Sequence, residues 1–296
     1  MAGARLIVDP PAFTTLPYGL WDAVQKPTPA STHWQAGVTY ITRCPTGGTT
    51  YDECISVTGT GEAPPEPPTK ADNVPQEFRG ATPFTIYARF DCSPVGMQAA
   101  ETAASDALAR VEQQQLEAAF WTGAVGGQTI AYPHLADDAE LADTNGIILQ
   151  TAATTVASGV DVVTALGVLE QELAECYAGQ GIIHIPRSAL PTFAAAYLVR
   201  EVDGQLLTPA GNLIVVGGGY PGTSPAGAAP AAGTTWIYAT GAVFGYRGDV
   251  LVTSARESFD RAENTMQMLA ERTYLLAFEC CHLAALINLG VPDGTA

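Results

Sequence analysis

Ser93-Pro-Val-Gly-Met-Gln-Ala-Ala-Glu-Thr-Ala-Ala-Ser-Asp-Ala-Leu-Ala-Arg-Val-Glu-Gln-Gln-Gln-Leu-Glu-Ala-Ala-Phe-Trp-Thr-Gly123 is the stretch that decides the architecture. Ser93 suits a helix N-cap, Pro94 suits the first helical position, and Gly123 supplies a stop. The roughly 29 residues between them would span on the order of 43 Å as one helix. Met97, Ala100, Ala104, Ala107, Leu108 and Val111 form an apolar stripe that resumes, slightly rotated, at Leu116, Ala119 and Phe120. The expectation is one long rod packed along one side, so another part of the chain must cover that side.

The segment suited to cover it is Asn264 to Leu289, a long apolar and β-prone stretch. It is too long and too apolar to stay an exposed edge, so it is expected to pair and to pack on the long helix. Upstream of the helix, Val38-Thr-Tyr-Ile-Thr42 and Phe84-Thr-Ile-Tyr-Ala-Arg-Phe90 bracket a segment rich in Gly, Thr and Pro, including Pro64-Pro65-Glu66-Pro67-Pro68. This pattern predicts a long projecting hairpin. A loop of that length in a compact domain points to function or to intermolecular contact. Residues 1 to about 35 scatter Pro10, Pro11, Pro17, Pro27 and Pro29 among Phe13, Tyr18, Trp21 and Trp34. Such a mixture suits an extended arm lying on another surface, that of a neighbouring chain included.

Between helix and return, the pattern reads as a compact α/β lobe. A helix is predicted from about Ser158 to Tyr177, with Val162, Leu166, Leu169, Leu173 and Tyr177 on one face. Next come a strand at Gly181 to Ile185, a helix at Ser188 to Val199 and a strand at Asn212 to Val216. A flexible run is predicted at Gly217 to Gly233, followed by strands at Thr235 to Tyr238, Val243 to Tyr246 and Asp249 to Thr253.

The 296 residues, 47% of them apolar, suffice for a sizeable core in one large domain or two lobes. Thirty acidic residues against thirteen Lys and Arg give a net charge of -17, which opposes the attraction that drives non-specific binding to phosphate backbones. A DNA-reading role is therefore disfavoured, whereas a container that grips DNA weakly is compatible with the charge, as is a simple solubility function. No run of 18 apolar residues occurs, and Met1 to Pro10 lacks the features of a signal peptide, so the expectation is a chain kept in a cytoplasm and no membrane contact. Cys44, Cys54, Cys92, Cys176, Cys280 and Cys281 are too few and scattered for a disulfide scaffold, and read as mostly buried thiols. A bond between Cys44 and Cys54 across the Thr-Gly-Gly-Thr turn is the pairing the sequence suggests, if any forms.

Several motifs with chemical meaning fail on inspection. Gly217, Gly219 and Gly222 fit G-x-G-x-x-G after a strand, but Thr223-Ser-Pro-Ala-Gly-Ala-Ala-Pro230 cannot open the helix that would hold a pyrophosphate. Gly222-Thr-Ser224-Pro-Ala226 resembles a nucleophile elbow, yet lacks the last Gly and the helix. No phosphate-binding lysine motif exists, and the chain has two lysines, Lys26 and Lys70. His33, His134, His184 and His282 lie far apart, without metal-ligand spacing. Cys280-Cys281-His282 is the tightest cluster of soft ligands, and reads as structural. Asp137, Asp138 and Glu140 read as a solvated loop.

Arm, projecting hairpin, long helix, α/β lobe and return segment, in that order, resemble the layout of Hong Kong 97-type major capsid proteins of tailed bacteriophages. Three stretches look like those of phages infecting actinobacteria: Glu117-Ala-Ala-Phe-Trp-Thr-Gly123, Leu206-Leu-Thr-Pro-Ala-Gly-Asn-Leu-Ile-Val-Val-Gly-Gly-Gly-Tyr220, and Asn264 to Leu289. The resemblance implies an α+β capsid fold, with an N-terminal arm (1–37), an extended-loop hairpin (38–90), a peripheral domain (91–150 and 255–296, its spine helix about 94–122) and an axial domain (151–254).

The resemblance further implies self-assembly into hexamers and pentamers of an icosahedral shell around double-stranded DNA, without catalytic, cofactor or metal sites. A portal, and a separate scaffolding or decoration protein, are the implied partners. Some relatives cross-link a loop lysine to an asparagine, for which Lys70 and either Asn264 or Asn288 stand in matching segments. Two other readings stay open: an encapsulin-type nanocompartment shell, and a soluble α/β enzyme with the Gly217 to Gly233 loop as a lid.

Overall fold

The computed structural model describes residues 11–42, 44, 77–92, 100–253, 259–260, 262 and 265–290. The arm carries one helical turn, α1 (Leu20–Ala23), and a 3-10 turn at Thr32–Ala36. Strands β1 (Val38–Ile41), β2 (Phe78–Ala81) and β3 (Phe84–Cys92) precede the long helix α2 (Ala100–Thr122). Short strands β4 (Ala124–Val125), β5 (Gln128–Thr129), β6 (Leu141–Ala142) and β7 (Ile148–Gln150) lead to β8 (Thr154–Val160) and helix α3 (Val162–Cys176). Then come β9 (Ile182–Pro186), α4 (Leu190–Ala195), β10 (Arg200–Val202), β11 (Gln205–Leu207), β12 (Leu213–Gly217) and β13 (Thr234–Thr240). The chain ends through β14 (Val243–Arg247), β15 (Leu251–Val252), β16 (Phe259–Asp260), β17 (Thr265–Phe278) and β18 (Leu283–Asn288).

Of the stripe expected from the sequence, helix α2 buries Ala100, Ala104, Leu108, Leu116, Ala119 and Phe120, and it buries Trp121 besides; Ala107 and Val111 are half-buried, and Met97 lies outside the described residues. It stops at Gly123, whose φ of 69° is open to glycine and whose amide bonds back to the Ala119 carbonyl at 2.8 Å. The predicted beginning of this helix, Ser93 to Ala99, lies outside the described residues.

The helix is covered by β17, which pairs antiparallel with β3 from Met266 opposite Cys92 to Tyr274 opposite Phe84. On its other edge β17 pairs with β14, β15 and β16. Alternation does the sorting, because successive side chains of a strand point to opposite faces. Met266, Met268, Ala270, Tyr274, Leu276 and Phe278 join the core built on α2, while Leu275 and Ala277 pack on the opposite face with Trp34 and Ala81. The second face is thus covered by the chain itself at Leu275 and Ala277, while Tyr87, Arg89 and Gln267 of the same sheet are exposed.

The second lobe is a seven-stranded mixed sheet in the order β10-β11-β12-β9-β13-β18-β8. Ile183, Ile185, Ile214, Val216, Ile237, Ala239 and Ala285 face Leu166, Leu169 and Leu173 of α3. Their strand neighbours Ile182, Val215, Tyr238 and Ala284 turn the other way and join the α2 core. One sheet therefore serves two cores, and α2 is the wall shared between the lobes.

Several expectations need correction. The partner of β1 is β2, with Ile41 opposite Phe78, whereas β3 leaves to pair with β17. Pro83 cannot donate to a ladder, so the strand breaks between Ala81 and Phe84. Most of the expected hairpin tip lies outside the described residues. Helix α3 starts at Val162 because Asp161 caps it, accepting from the amides of Val163 and Thr164, and Thr154–Val160 is a strand paired with β18. The helix expected at Ser188 to Val199 shortens to Leu190–Ala195 after a 3-10 turn. A hairpin follows it, its two-residue turn formed by Asp203 and Gly204 at φ 51° and 77°. The return segment breaks at Glu279 to His282, and β18 crosses into the seven-stranded sheet beside β13.

The arm lies on another surface as expected, and from Leu20 to Trp34 part of that surface belongs to the same chain, whereas Pro11 to Pro17 are exposed. Leu20, Val24 and Trp34 are buried, and Gln25 exchanges backbone hydrogen bonds with Val243 and Gly245, both at 2.9 Å. Aromatic residues need an apolar surface, and α2 with β14 supplies it.

Candidate functional site

The C-terminal half of α2 lies where arm, helix and second sheet meet, and at that point the helix carries a buried carboxylate. Glu117 accepts from the Gly219 amide at 2.9 Å, the Leu20 amide at 3.3 Å and Gln113 Nε2 at 3.2 Å. Gln113 in turn brackets Leu16, accepting from its amide and donating to its carbonyl, both at 3.1 Å. Burial pushes the Glu117 carboxyl above the usual carboxylate range, while the donors from Gly219, Gln113, Leu20 and Gly218 pull it down. A carboxyl with that many donors is a fastener for three segments far apart in sequence.

Gly217, Gly219 and Gly222 belong to the same junction. A Cβ on Gly219 would stand 2.1 Å from the Gln114 carbonyl oxygen, one on Gly217 would strike the Tyr220 ring, and one on Gly222 would meet Thr235 Oγ1. Gly219 permits close approach of backbone to the helix, and Gly217 and Gly222 leave room for Tyr220 and Thr235, uses of glycine unrelated to phosphate. Of the flexible run expected at Gly217 to Gly233, the first part is packed, with Gly217, Tyr220, Gly222 and Pro225 buried, while Ala226 to Ala229 and Ala231 to Gly233 are exposed.

Beyond the carboxylate a polar layer closes on itself. Thr240 Oγ1 donates to the Gly241 carbonyl at 2.9 Å, so it accepts from His184 Nε2 at 3.0 Å, which leaves Nδ1 to accept from Tyr220 Oη at 3.1 Å. Burial pushes His184 down to about 3 and Tyr220 up. Trp121 Nε1 donates to Thr223 Oγ1 at 2.9 Å, and Tyr238 Oη donates to the Thr223 carbonyl at 3.0 Å. The donors of Thr240, His184, Tyr220, Trp121 and Tyr238 are each matched to an acceptor inside the protein.

The corner between β17 and β18 is the second convergence. Cys280 is bonded to Cys44, with Cα atoms 5.4 Å apart, and Cys281 to Cys176, with Cα atoms 5.7 Å apart. This corrects the reading of these residues as thiols, and it commits Cys44 to Cys280 in place of Cys54, which lies outside the described residues. Spacing along the chain could not show it, because both bridges are long-range. The adjacent His282 presents Nδ1 to the Thr151 carbonyl at 2.8 Å and Nε2 to the Leu135 carbonyl at 2.7 Å. Burial pushes it down to about 4, against the pull of those carbonyls. A neutral ring donates from one nitrogen, so one of the two carbonyls faces a lone pair.

The remaining candidates have separate fates. Ser224 Oγ accepts from the Ala228 amide at 3.0 Å within a turn. Asp137 pairs with His134 at 3.3 Å and accepts from the Ala139 amide, while Glu140 is exposed. Asn288 Nδ2 donates to the Gly159 carbonyl at 2.9 Å, and Lys70 and Asn264 lie outside the described residues. Among the described residues no group of three or more His, Cys, Asp or Glu is assembled that could hold a metal ion.

One outer feature was not legible in sequence. The nine-residue strand β3 pairs with β17, and among the described residues no strand pairs its other edge. Tyr87 on it is 64% exposed. Beside it, a cavity of about 500 Å³ opens between β3 and α2, lined by Tyr87, Arg89, Val111, Gln115 and Val125.

The chain matches no protein-family model and no curated protein sequence. Among solved structures it is similar to the capsid of a native GTA particle computed with C5 symmetry, with a TM-score of 0.55 and 11% identity over 97% of this chain and 95% of that one. It is similar to the capsid of Ralstonia phage GP4, with a TM-score of 0.54 and 9% identity over 99% and 97% of the two chains. It is also similar to a chain of Microbacterium phage Oxtober96, with a TM-score of 0.51 and 15% identity over 97% and 96%. At such identities the likeness is one of fold, and it extends over nearly the whole of each chain: the α+β architecture is the Hong Kong 97-type capsid fold.

Proposed function

We propose that the chain is the major capsid protein of a tailed bacteriophage, which assembles into hexamers and pentamers of an icosahedral shell around double-stranded DNA. The observation that carries this reading is the likeness of fold to a capsid structure, covering 97% of this chain and 95% of the other. A likeness spread over the length of a capsid subunit, and not over one lobe of it, supports a role in the shell wall. The edge of β3 that no strand among the described residues pairs supports it, since a long strand edge left unpaired is a template for another chain and is normally blunted unless used. The net charge of -17 supports a wall that does not grip its contents.

On this reading residues 1–37 are the arm, 38–90 the extended loop, 91–150 and 255–296 the peripheral domain, and 151–254 the axial domain. Contacts to a portal, and to a separate scaffolding or decoration protein, follow from the same reading, as does assembly in a bacterial cytoplasm. The role is structural: His184, Tyr220 and Trp121 spend their hydrogen bonds inside the protein.

Electron microscopy and sedimentation of the purified, concentrated protein test the proposal. Closed megadalton shells are expected, with nuclease-protected DNA in particles from infected cells. A cargo protein in place of DNA would favour an encapsulin-type compartment, and a monodisperse single subunit at high concentration would overturn both shell readings.

A further inference from the structure

We infer that the corner at Cys280 and Cys281 is an oxidation site, where two thiol pairs close to fasten the hairpin base and the end of α3 to the crossover between the lobes. Four of the six cysteines, from residues 44, 176, 280 and 281, converge there. Both Cα separations, 5.4 and 5.7 Å, lie in the range a disulfide spans without moving the backbone.

The backbone makes this convergence specific. Cys280 and Cys281 are consecutive, and both are left-handed, with φ of 35° and 39°. Non-glycine residues adopt that region at a cost, and they hold it where surrounding contacts over-determine it. Here the contacts come from every side. The Glu279 amide bonds the Ala242 carbonyl at 2.9 Å, the Thr154 amide bonds the His282 carbonyl at 2.8 Å, and Tyr40 Oη donates to the Phe278 carbonyl at 2.9 Å. Gly241 lies so close that a Cβ on it would stand 2.1 Å from the Glu279 carbonyl oxygen. The pinned corner sends one cysteine to the segment after β1 and its neighbour to the last residue of α3.

The chemistry balances with a low-molecular-weight disulfide as oxidant. A cysteine thiolate attacks it, one small thiol leaves, and the second cysteine thiolate displaces the other small thiol as the protein S–S bond forms. Each pair thereby loses two electrons and two protons, and each small disulfide becomes two thiols. In a reducing cytoplasm the pairs stay as thiols. Only the timing, oxidation when a finished shell leaves the cell, rests on the proposed function.

The test is peptide mapping by mass spectrometry after alkylation, with the full-length protein exposed to oxidised or reduced glutathione. The expected result is two linked peptide pairs, Cys44 with Cys280 and Cys176 with Cys281, after oxidation, and alkylation of all four cysteines after reduction. Reduction is expected to lower Tm by on the order of 10 °C. Cys44→Ser and Cys176→Ser should each remove one linked pair, keep the other, and lose part of that shift. Full alkylation of oxidised wild-type protein, a link from Cys44 to Cys54, or a Tm indifferent to reduction would overturn the inference. Mapping reads subunits and shells alike, so failure to assemble leaves this test intact.

Discussion

The amide nitrogen of Gly219 lies 2.9 Å from Glu117 Oε2, and the glycine is so close to the long helix that a Cβ would stand 2.1 Å from the Gln114 carbonyl oxygen. Gly219→Ala therefore has no room, because the obstructing atom is backbone in the middle of a helix. A loss of about 1–3 kcal/mol is expected in urea unfolding. Gly167→Ala is the control: nothing lies within 4 Å of its Cβ position inside α3. It should stabilise the protein by about 0.4–1 kcal/mol, and equal effects of the two changes would refute this account of the junction.

Glu117→Ala strands the amides of Gly219 and Leu20 and the Gln113 side chain. A buried donor left unsatisfied costs about 1–3 kcal/mol. The arm should also become the first segment cut in limited proteolysis, and an unchanged cleavage order would contradict the fastening role. With Glu117→Gln the expectation depends on pH. The carboxyl is raised in the folded state, so its favourable contribution is present below the ordinary glutamate range and is lost as pH rises through the folded value. The advantage of wild type over Glu117→Gln should therefore shrink with rising pH.

Acid should act on the protein through its buried imidazoles. His184 and His282 are pushed down to about 3 and about 4 in the folded state, from an ordinary value near 6.5. The unfolded chain then binds more protons, so stability is full above the ordinary histidine range and falls as pH drops from about 7 toward 4. Urea midpoints between pH 7 and 5 should decline, and His184→Gln should flatten that decline while lowering stability at pH 8. A midpoint that holds constant across the window would dismiss the idea.

Trp121 and Thr223 form one of the contacts between helix and second lobe, at 2.9 Å. A double-mutant cycle with Trp121→Phe and Thr223→Val should give a coupling of about 0.5–1.5 kcal/mol. Additive effects would show that the bond contributes nothing.

Leu108→Ala on α2 removes a fully buried side chain from the core shared by the helix and its neighbouring strands. The expected loss is about 2–5 kcal/mol, read as a shift in urea midpoint. A shift under half that would place the weight of the helix elsewhere than on its apolar stripe.

Periodicity made α2, the leucines of α3 and most second-lobe strands legible, because the side-chain repeat of an element is written locally. The stop at Gly123 and the need to cover the long helix with the return segment followed from the same logic. The Asp203-Gly204 turn is equally local, a known hairpin signal in the stretch between the helix predicted to Val199 and the strand predicted from Asn212. What only tertiary structure decided depends on which distant segments meet. Two strand runs near 38 and 84 look alike as partners, and the choice of Phe78–Ala81 for β1 was made by Pro83 and by β17 claiming Phe84–Cys92. The role of Glu117 exists only once Gly219 and Leu20 donate to it, and Cys280 and Cys281 read as thiols until residues 44 and 176 are brought alongside. A chain records the propensity of each short segment, whereas burial, satisfied donors and bridges are properties of pairs that folding alone brings within reach.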